Sequence, residues 1–168
     1  MVVGASLVVA LCARVTLPLP TPVPLTLQNF GVLAVALLLG SRRGFAALAL
    51  YLAEGAAGLP VFNPAGAGGV TQIVGLTGGF LMAYPLVAFA AGWIYERTAR
   101  AFIGALGAAF CGELILFAGG LSWLFALTHS IALTLRWGLY WFVFAEVIKI
   151  MMAASVAARW SRRFSRRF

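Results

Sequence analysis

The strongest constraint on the fold of this chain is a series of apolar segments, separated by short breakers, that runs along its whole length. Such segments reach the length of about 20 residues that a helix needs to cross the hydrocarbon core of a bilayer, or come close to it. Six can be drawn, at 2–17, 26–41, 44–59, 79–96, 101–125 and 138–158. Only 10% of the 168 residues are charged, whereas a soluble domain carries about a quarter. The sequence therefore predicts an all-α integral membrane protein, a single domain of six transmembrane helices.

The distribution of arginines predicts how these helices are oriented. If the spans alternate in direction, Arg14 and Arg136 lie on one side, and nine arginines lie on the other: Arg42, Arg43, Arg97, Arg100, Arg159, Arg162, Arg163, Arg166 and Arg167. Short cytoplasmic loops carry the excess of positive charge in membrane proteins. We therefore expect a multi-pass protein of the cell membrane with both termini in the cytoplasm. The same pattern explains the net charge of +8 without a nucleic-acid partner, because no basic face is interleaved with exposed aromatic residues.

Lys149, the only lysine, lies three residues after Glu146 in an otherwise apolar stretch. Side chains three apart share a face of a helix. Charged groups inside a membrane segment are costly and usually mark a site or a pathway. At 1.5 Å per residue the pair lies about 12 to 16 Å from the outer end of segment six, which is in the outer half of the membrane. The alternative is an intrahelical pair with a purely structural role.

Two long outer connections contain no charged residue. Residues 18–25 are rich in proline, and residues 60–78 are rich in glycine. Loops that face only water rarely need to be so apolar, whereas loops that fold over a pocket do. The sequence therefore favours a pocket that opens to the outside and holds the charged pair, with packing filler as the alternative for the loops.

Several motifs, in order along nearly the whole chain, resemble those of the BioY family. They are Val-Pro-Leu-Thr-Leu-Gln at 23–28, Gly-Ala-Ala-Gly-Leu-Pro-Val-Phe at 55–62, Gly-Leu-Thr-Gly-Gly-Phe at 75–80 and Gly-Leu-Ser-Trp at 120–123. Members of this family are the biotin-specific S components of energy-coupling factor (ECF) transporters. The chain departs from the pattern where Leu76 replaces a proline, and where Glu146 replaces an aspartate three residues before the lysine.

The resemblance implies a six-helix S-component bundle that binds biotin near its outer face. Glu146 suits the ureido N–H groups, and Lys149 suits either the carboxylate or the ureido oxygen. Asn63 and Gln28 are candidates for further polar contacts, unless they are turn or cap residues. Thr77 lies in the glycine-rich motif. The aromatic candidates for the walls of the pocket, which are otherwise core residues, are Phe62, Phe80, Tyr84 and Trp141. Glu54 is a candidate either for the rim of the pocket or for pairing with Arg136, and Glu113 either for pairing across helices or for contact with the ligand.

The chain has no Gly-x-x-x-x-Gly-Lys-Ser/Thr phosphate loop. We therefore expect no enzyme activity, and no cofactor or metal. The resemblance implies that ATP is hydrolysed on two separate ATP-binding subunits, and that a transmembrane coupling (T) protein is a further partner. Ser6 and Ala10 have a spacing that permits close helix approach, so their surface is a candidate either for docking the T protein or for internal packing.

Three alternatives to biotin uptake remain at the level of the sequence. The first is an S component for another small amphipathic vitamin, which the glutamate at 146 favours. The second is an intramembrane enzyme using Glu113, His129 or Glu146, although no nucleophile lies beside a base and no metal-ligand spacing is present. The third is a structural membrane subunit, against which the uncharged loops over a buried pair argue.

Overall fold

The computed structural model describes residues 1–98 and 101–165, and for residues 162–165 it describes the backbone alone. Helices and one short hairpin account for most of this range. In chain order they are α1 (Val2–Arg14), β1 (Thr16–Leu17), β2 (Leu25–Thr26), α2 (Gln28–Leu39), α3 (Ser41–Ala56), α4 (Gly69–Val74), α5 (Gly78–Arg97), α6 (Phe102–Thr128), α7 (Ile131–Leu135), a π turn (Arg136–Tyr140) and α8 (Val143–Ser165). Arg100, Arg166 and Arg167 of the predicted charge pattern lie outside the described residues.

The helices form one bundle in which α5 has a central place. It packs against α2, α3 and α6, while α8 packs against α2 and α6, and α1 packs against α2 and α3. Small residues occupy many of the contacts between helices, where they let the backbones approach closely. The fully buried alanines are Ala13, Ala36, Ala47, Ala88, Ala91, Ala105, Ala108, Ala109, Ala153 and Ala154.

The burial pattern is that of a membrane protein, with large apolar side chains outside and polar ones inside. On α8, Phe144 is 87% exposed, whereas Glu146 and Lys149 are 5% and 6% exposed. Such an arrangement would be unfavourable in water and is favourable in lipid. Within the described residues three helical stretches are long and apolar enough to cross a bilayer, at Gly78–Arg97, Phe102–Thr128 and Ile131–Ser161, while α1 and α2 are apolar but shorter. The count of six spans therefore stays a prediction.

The last predicted segment, 138–158, begins too late. Helical structure starts at Ile131 and passes through the π turn before α8. Gly138, in this turn, packs so close to α6 that a Cβ there would lie 2.7 Å from the Cδ2 of Leu121. The apolar pattern alone could not reveal this, because α7 and the π turn include Arg136 and three aromatic or polar residues.

The proline-rich connection forms a β-hairpin and is not simply a loop. Thr16 pairs with Thr26, and Leu17 pairs with Leu25, in an antiparallel ladder. Prolines at every second position from 18 to 24 lack backbone N–H groups and fix φ, which excludes a helix there. The end of predicted segment one and the start of predicted segment two therefore belong to strands. The hairpin lies across one end of the bundle.

The turn between α2 and α3 is sharp and is fixed by Glu96 at the end of α5. The backbone N–H and the hydroxyl of Ser41 each donate a hydrogen bond of 2.8 Å to its carboxylate. Arg42 and Arg43 therefore lie in the first turn of α3, and are exposed there, and not in a connecting loop.

Ser6 is buried and faces the inside of the bundle, so it does not form the docking surface considered above. Its hydroxyl donates to Oε1 of Glu54 at 3.2 Å. Of the two roles suggested for the small residues of α1, internal packing is therefore the one that Ser6 has. The same hydrogen bond gives Glu54 a partner on α1, so the suggested pairing with Arg136 is not what the structure contains.

Candidate functional site

A cavity of about 60 Å³ lies beneath the hairpin and the glycine-rich loop, among α2, α5, α6 and α8. Its lining combines an apolar wall with a cluster of polar groups, which is the usual composition of a small-molecule site. The residues that line it are Val23, Pro24, Thr26, Gln28, Asn29, Asn63, Gln72, Thr77, Phe80, Leu81, Tyr84, Glu113, Leu116, Phe117, Phe142, Glu146 and Lys149.

Helix α8 contributes one face to this cavity. Phe142, which directly precedes α8, is followed at spacings of four and three residues by Glu146 and Lys149, so the three lie one above another along the helix path, and all three are buried. Nζ of Lys149 donates to Oε1 of Glu146 at 2.6 Å. The sequence prediction of a close, buried pair on one face is what the structure contains.

Asn29, in the first turn of α2, joins this pair to a second carboxylate. Its Nδ2 donates to Oε2 of Glu146 at 2.6 Å and to Oε2 of Glu113 on α6 at 2.7 Å. One amide group therefore connects three helices at the floor of the cavity. Two carboxylates and one ammonium group give this floor a formal charge of −1 when all three are ionised.

The floor retains unused hydrogen-bonding capacity. Among the described residues, Oδ1 of Asn29 and Oε1 of Glu113 are buried acceptors that have no hydrogen-bond partner. The ammonium group of Lys149 has three donors, of which Glu146 takes one. The site can therefore offer both acceptors and donors to a polar ligand. No group of three or more histidine, cysteine or acidic side chains within residues 1–98 and 101–165 is arranged to hold a metal ion.

The hairpin covers the cavity with apolar side chains. Val23, in the segment between its two strands, packs in a cluster with Leu124 of α6 and with Phe142, which directly precedes α8. Pro24 and Thr26 also line the cavity. The hairpin therefore narrows access to the cavity, which has room for only a few water molecules.

The glycine-rich loop supplies uncharged polar groups to the opposite part of the cavity. Oδ1 of Asn63 accepts from the hydroxyl of Thr16 at 3.1 Å and from the N–H of Ala65 at 2.9 Å. Oε1 of Gln72 accepts from the N–H of Gly68 at 3.2 Å. Since the loop uses the carbonyl oxygens of both side chains, their NH₂ groups are the donors available to a ligand.

Gln28, Thr77, Phe80 and Tyr84, all predicted from the sequence, line the cavity with Asn63 and the α8 pair. Gln28 has its own role in the wall, because its Nε2 donates to the hydroxyl of Tyr51 at 2.8 Å. These positions agree with the prediction, but a position in the wall does not by itself test contact with a ligand.

Two predicted wall residues, Phe62 and Trp141, do not line the cavity. The ring of Phe62 is buried edge-on against Tyr51, with centroids 5.4 Å apart, and it occupies space where a Cβ on Gly55 would be. Phe62 thus anchors the loop to α3. Trp141 is 41% exposed because, five residues before Glu146, it lies on another side of the helix path. Phe142, four residues before Glu146, takes the predicted place.

Sequence reasoning missed Asn29 and Gln72, and it gave Glu113 either a ligand contact or a partner on another helix. That partner is Asn29. A signal for Asn29 was present, since two amide side chains at 28–29 open an otherwise apolar helix. Gln72 gave no comparable signal, because the short helix α4 lies in a loop whose geometry has no periodic pattern.

The model of the BioY family matches residues 1–166 of this chain. Among curated proteins, the chain is similar to "Biotin transporter BioY" of Thermotoga maritima, with 38% identity over 147 residues that cover 88% of this chain and 85% of that protein. It is also similar to "Biotin transporter BioY" of Rhodobacter capsulatus, with 42% identity over 70% of this chain and 63% of that protein. "Biotin transporter BioY2" of Lactococcus lactis is 34% identical over 86% of this chain and 79% of its own length.

A solved structure has the same fold. It is the S-component for biotin from an ECF-type ABC transporter, which superposes with a TM-score of 0.87 and 23% identity and covers 96% of this chain and 88% of that one. The likeness confirms the predicted all-α membrane bundle of the S-component type.

Proposed function

Because this chain belongs to the BioY family, we propose that it binds biotin from outside the cell and mediates its uptake as the substrate-specific subunit of an ECF-type transporter. The observation that carries the proposal is the buried floor of Asn29, Glu146 and Lys149 beneath two uncharged loops. The names of its relatives and the solved structure point to biotin as the ligand, and the polar groups and apolar wall of the cavity fit that molecule.

Biotin is a bicyclic ring with a ureido group at one end and a valerate carboxylate at the other. The ureido group has two N–H donors and one oxygen acceptor. The floor offers acceptors on Asn29 and the carboxylates, and donors on Lys149. The wall residues Phe80, Tyr84 and Phe142 present rings against which the apolar body of biotin can pack.

The distribution of charge favours one direction of binding. The floor already holds two carboxylates and one ammonium group, so a third carboxylate there would be repelled. The loop side of the cavity carries the NH₂ groups of Asn63 and Gln72 and no charge. We therefore place the ureido ring at the floor, with Lys149 donating to its oxygen, and the valerate under the loops.

The same proposal includes the partners. The only lysine of the chain is buried in an ion pair, and no phosphate loop is present in the sequence. We propose that ATP hydrolysis on other chains supplies the energy for uptake, and that these partners are a transmembrane T protein and two ATP-binding subunits.

We further propose that both termini are cytoplasmic. The contact between Ser41 and Glu96 brings the exposed Arg42, Arg43 and Arg97 to one end of the bundle. The contact of the Arg14 guanidinium with the carbonyl of Pro60 lies at the other end, with the hairpin and the glycine-rich loop. A cytoplasmic position for the arginine-rich end follows the positive-inside rule and leaves the cavity facing outward.

Binding of labelled biotin to the purified protein in detergent tests the function. We expect saturable binding at one site per chain and a loss of about tenfold or more in affinity for Lys149→Ala, which removes a charged donor. Competition by a panel of other vitamins tests the alternative that the glutamate at 146 favours, which is an S component for another small amphipathic vitamin. Stronger displacement by another vitamin, or no binding of biotin by the wild type, would contradict the proposal.

A further inference from the structure

Glu113 is a second acid in the membrane-embedded core, and the ion pair does not use it. It lies in the middle of α6 and is 4% exposed. An ionisable residue inside a membrane bundle is costly and usually has a functional reason. The ammonium group of Lys149 is paired with Glu146, so the role of counter-ion is filled by another residue.

Only one half of the Glu113 carboxylate is used within the described residues. Its Oε2 accepts from Nδ2 of Asn29 at 2.7 Å, and its Oε1 has no partner. Asn29 also has one atom without a hydrogen bond. Its Nδ2 donates to both acids, while its Oδ1 has no partner within the described residues. The cavity wall therefore contains two buried acceptors that have no donor, on two side chains that are hydrogen-bonded to each other.

We propose that these two acceptors receive the two N–H groups of the ureido ring, Oε1 of Glu113 taking one and Oδ1 of Asn29 the other. This inference rests on the proposed function and adds to it a specificity-determining residue, Glu113. Buried acceptors that remain unsatisfied are unfavourable, so a ligand with two donors is selected over one that has none. A ligand that presents only acceptors would be rejected at this point.

The isosteric variant Glu113→Gln separates this role from a space-filling one. A glutamine has one oxygen and one NH₂ group, whereas the site needs an acceptor toward Asn29 and another toward the ligand. Either orientation of the amide therefore places two donors face to face. Glu54→Gln is the matched control, because Glu54 is a half-buried acid that likewise has one oxygen without a partner among the described residues but does not line the cavity.

The experiment compares biotin with a derivative methylated on both ureido nitrogens, by titration of the purified wild type, Glu113→Gln, Glu113→Ala and Glu54→Gln proteins. We expect Glu113→Gln to weaken biotin binding by about 10- to 100-fold and Glu54→Gln to change it by less than about twofold. The wild type should prefer biotin over the methylated derivative by about 100-fold or more. In Glu113→Ala this preference should fall by about tenfold, because one of the acceptors is gone.

The preference ratio reports contact, since a variant that only loosens the bundle weakens both ligands alike. Equal binding of the two ligands by the wild type would overturn the inference without any variant. So would an undiminished preference in Glu113→Ala. If the wild type binds biotin and the ratio is unchanged, only the role of Glu113 fails. If the wild type binds no biotin, the proposed function fails as well.

Discussion

The Nζ atom of Lys149 lies 2.6 Å from Oε1 of Glu146, one turn earlier on the same buried face of α8. Removing one member of a buried pair leaves an uncompensated charge in a low dielectric, at a cost of about 3 to 5 kcal/mol. Removing both leaves no such charge at these two positions. The pair can therefore be tested for a structural role and for a ligand role separately.

We predict that Lys149→Met and Glu146→Gln each lower the unfolding temperature of the ligand-free protein, and that the double variant recovers part of the loss. Biotin binding should not recover in the double variant, because the donor at Lys149 is still absent and Asn29 has lost the Glu146 carboxylate that holds its amide group. Thermal unfolding in detergent and biotin titration of the same four preparations measure the two effects. Recovery of binding together with stability would mean that the pair is structural only.

The sequence predicted the face of α8 because helical spacing fixes it. Glu146 and Lys149 are three apart, and the same rule accounts for the position of Phe142, which was not selected from the sequence. Trp141 does not line the cavity, because its position five residues before Glu146 lies on another side of the helix path, and its contact with a ligand stays a prediction. The apolar segments and their breakers were predictable for the same reason, because helices in lipid need long uninterrupted apolar stretches.

Other features depended on contacts that no local pattern records. Asn29 and Glu113 are 84 residues apart in sequence, and only the packing of α2 against α6 brings them together. Two adjacent residues of the glycine-rich loop also have different positions that no local sequence pattern predicts. Asn63 lines the cavity while Phe62 packs on Tyr51, and an irregular loop has no period from which to infer that.

The two aromatic residues that directly precede α8 provide a matched pair. Phe142→Ala should weaken biotin binding by about tenfold, because it removes a cavity wall and a contact of the hairpin cluster. Trp141→Ala should change the affinity by less than about twofold, since Trp141 points away and packs on Tyr140. Equilibrium titration of both variants measures this difference. A larger effect at Trp141 than at Phe142 would show that the exposed ring contacts the ligand in the bound state.

The hairpin is expected to control ligand release. Val23 closes against Leu124 and Phe142, so Val23→Ala should weaken this closure and raise the dissociation rate of biotin by about three- to tenfold. Affinity differences in related complexes arise mostly from dissociation, so the association rate should change little. Leu17→Ala is the control, because Leu17 belongs to the same hairpin but is 58% exposed. Rapid chase of bound labelled biotin gives both rates, and equal dissociation rates for the two variants would contradict a role of Val23 in closure.

The contact of α5 with α6 beside the cavity requires a glycine at position 79. A Cβ on Gly79 would lie 2.6 Å from the carbonyl oxygen of Gly119, and a backbone atom cannot move aside as a flexible side chain can. We predict that Gly79→Ala forces the two helices apart, lowers the unfolding temperature by several degrees, and weakens biotin binding through the displaced Phe80. Gly107→Ala on α6 is the matched control, because a Cβ there meets nothing within 4 Å and alanine favours a helix over glycine by about 1 kcal/mol. Gly107→Ala should therefore be as stable as the wild type or more so. If Gly79→Ala unfolds at the same temperature as Gly107→Ala, the close approach of the two helices does not limit stability.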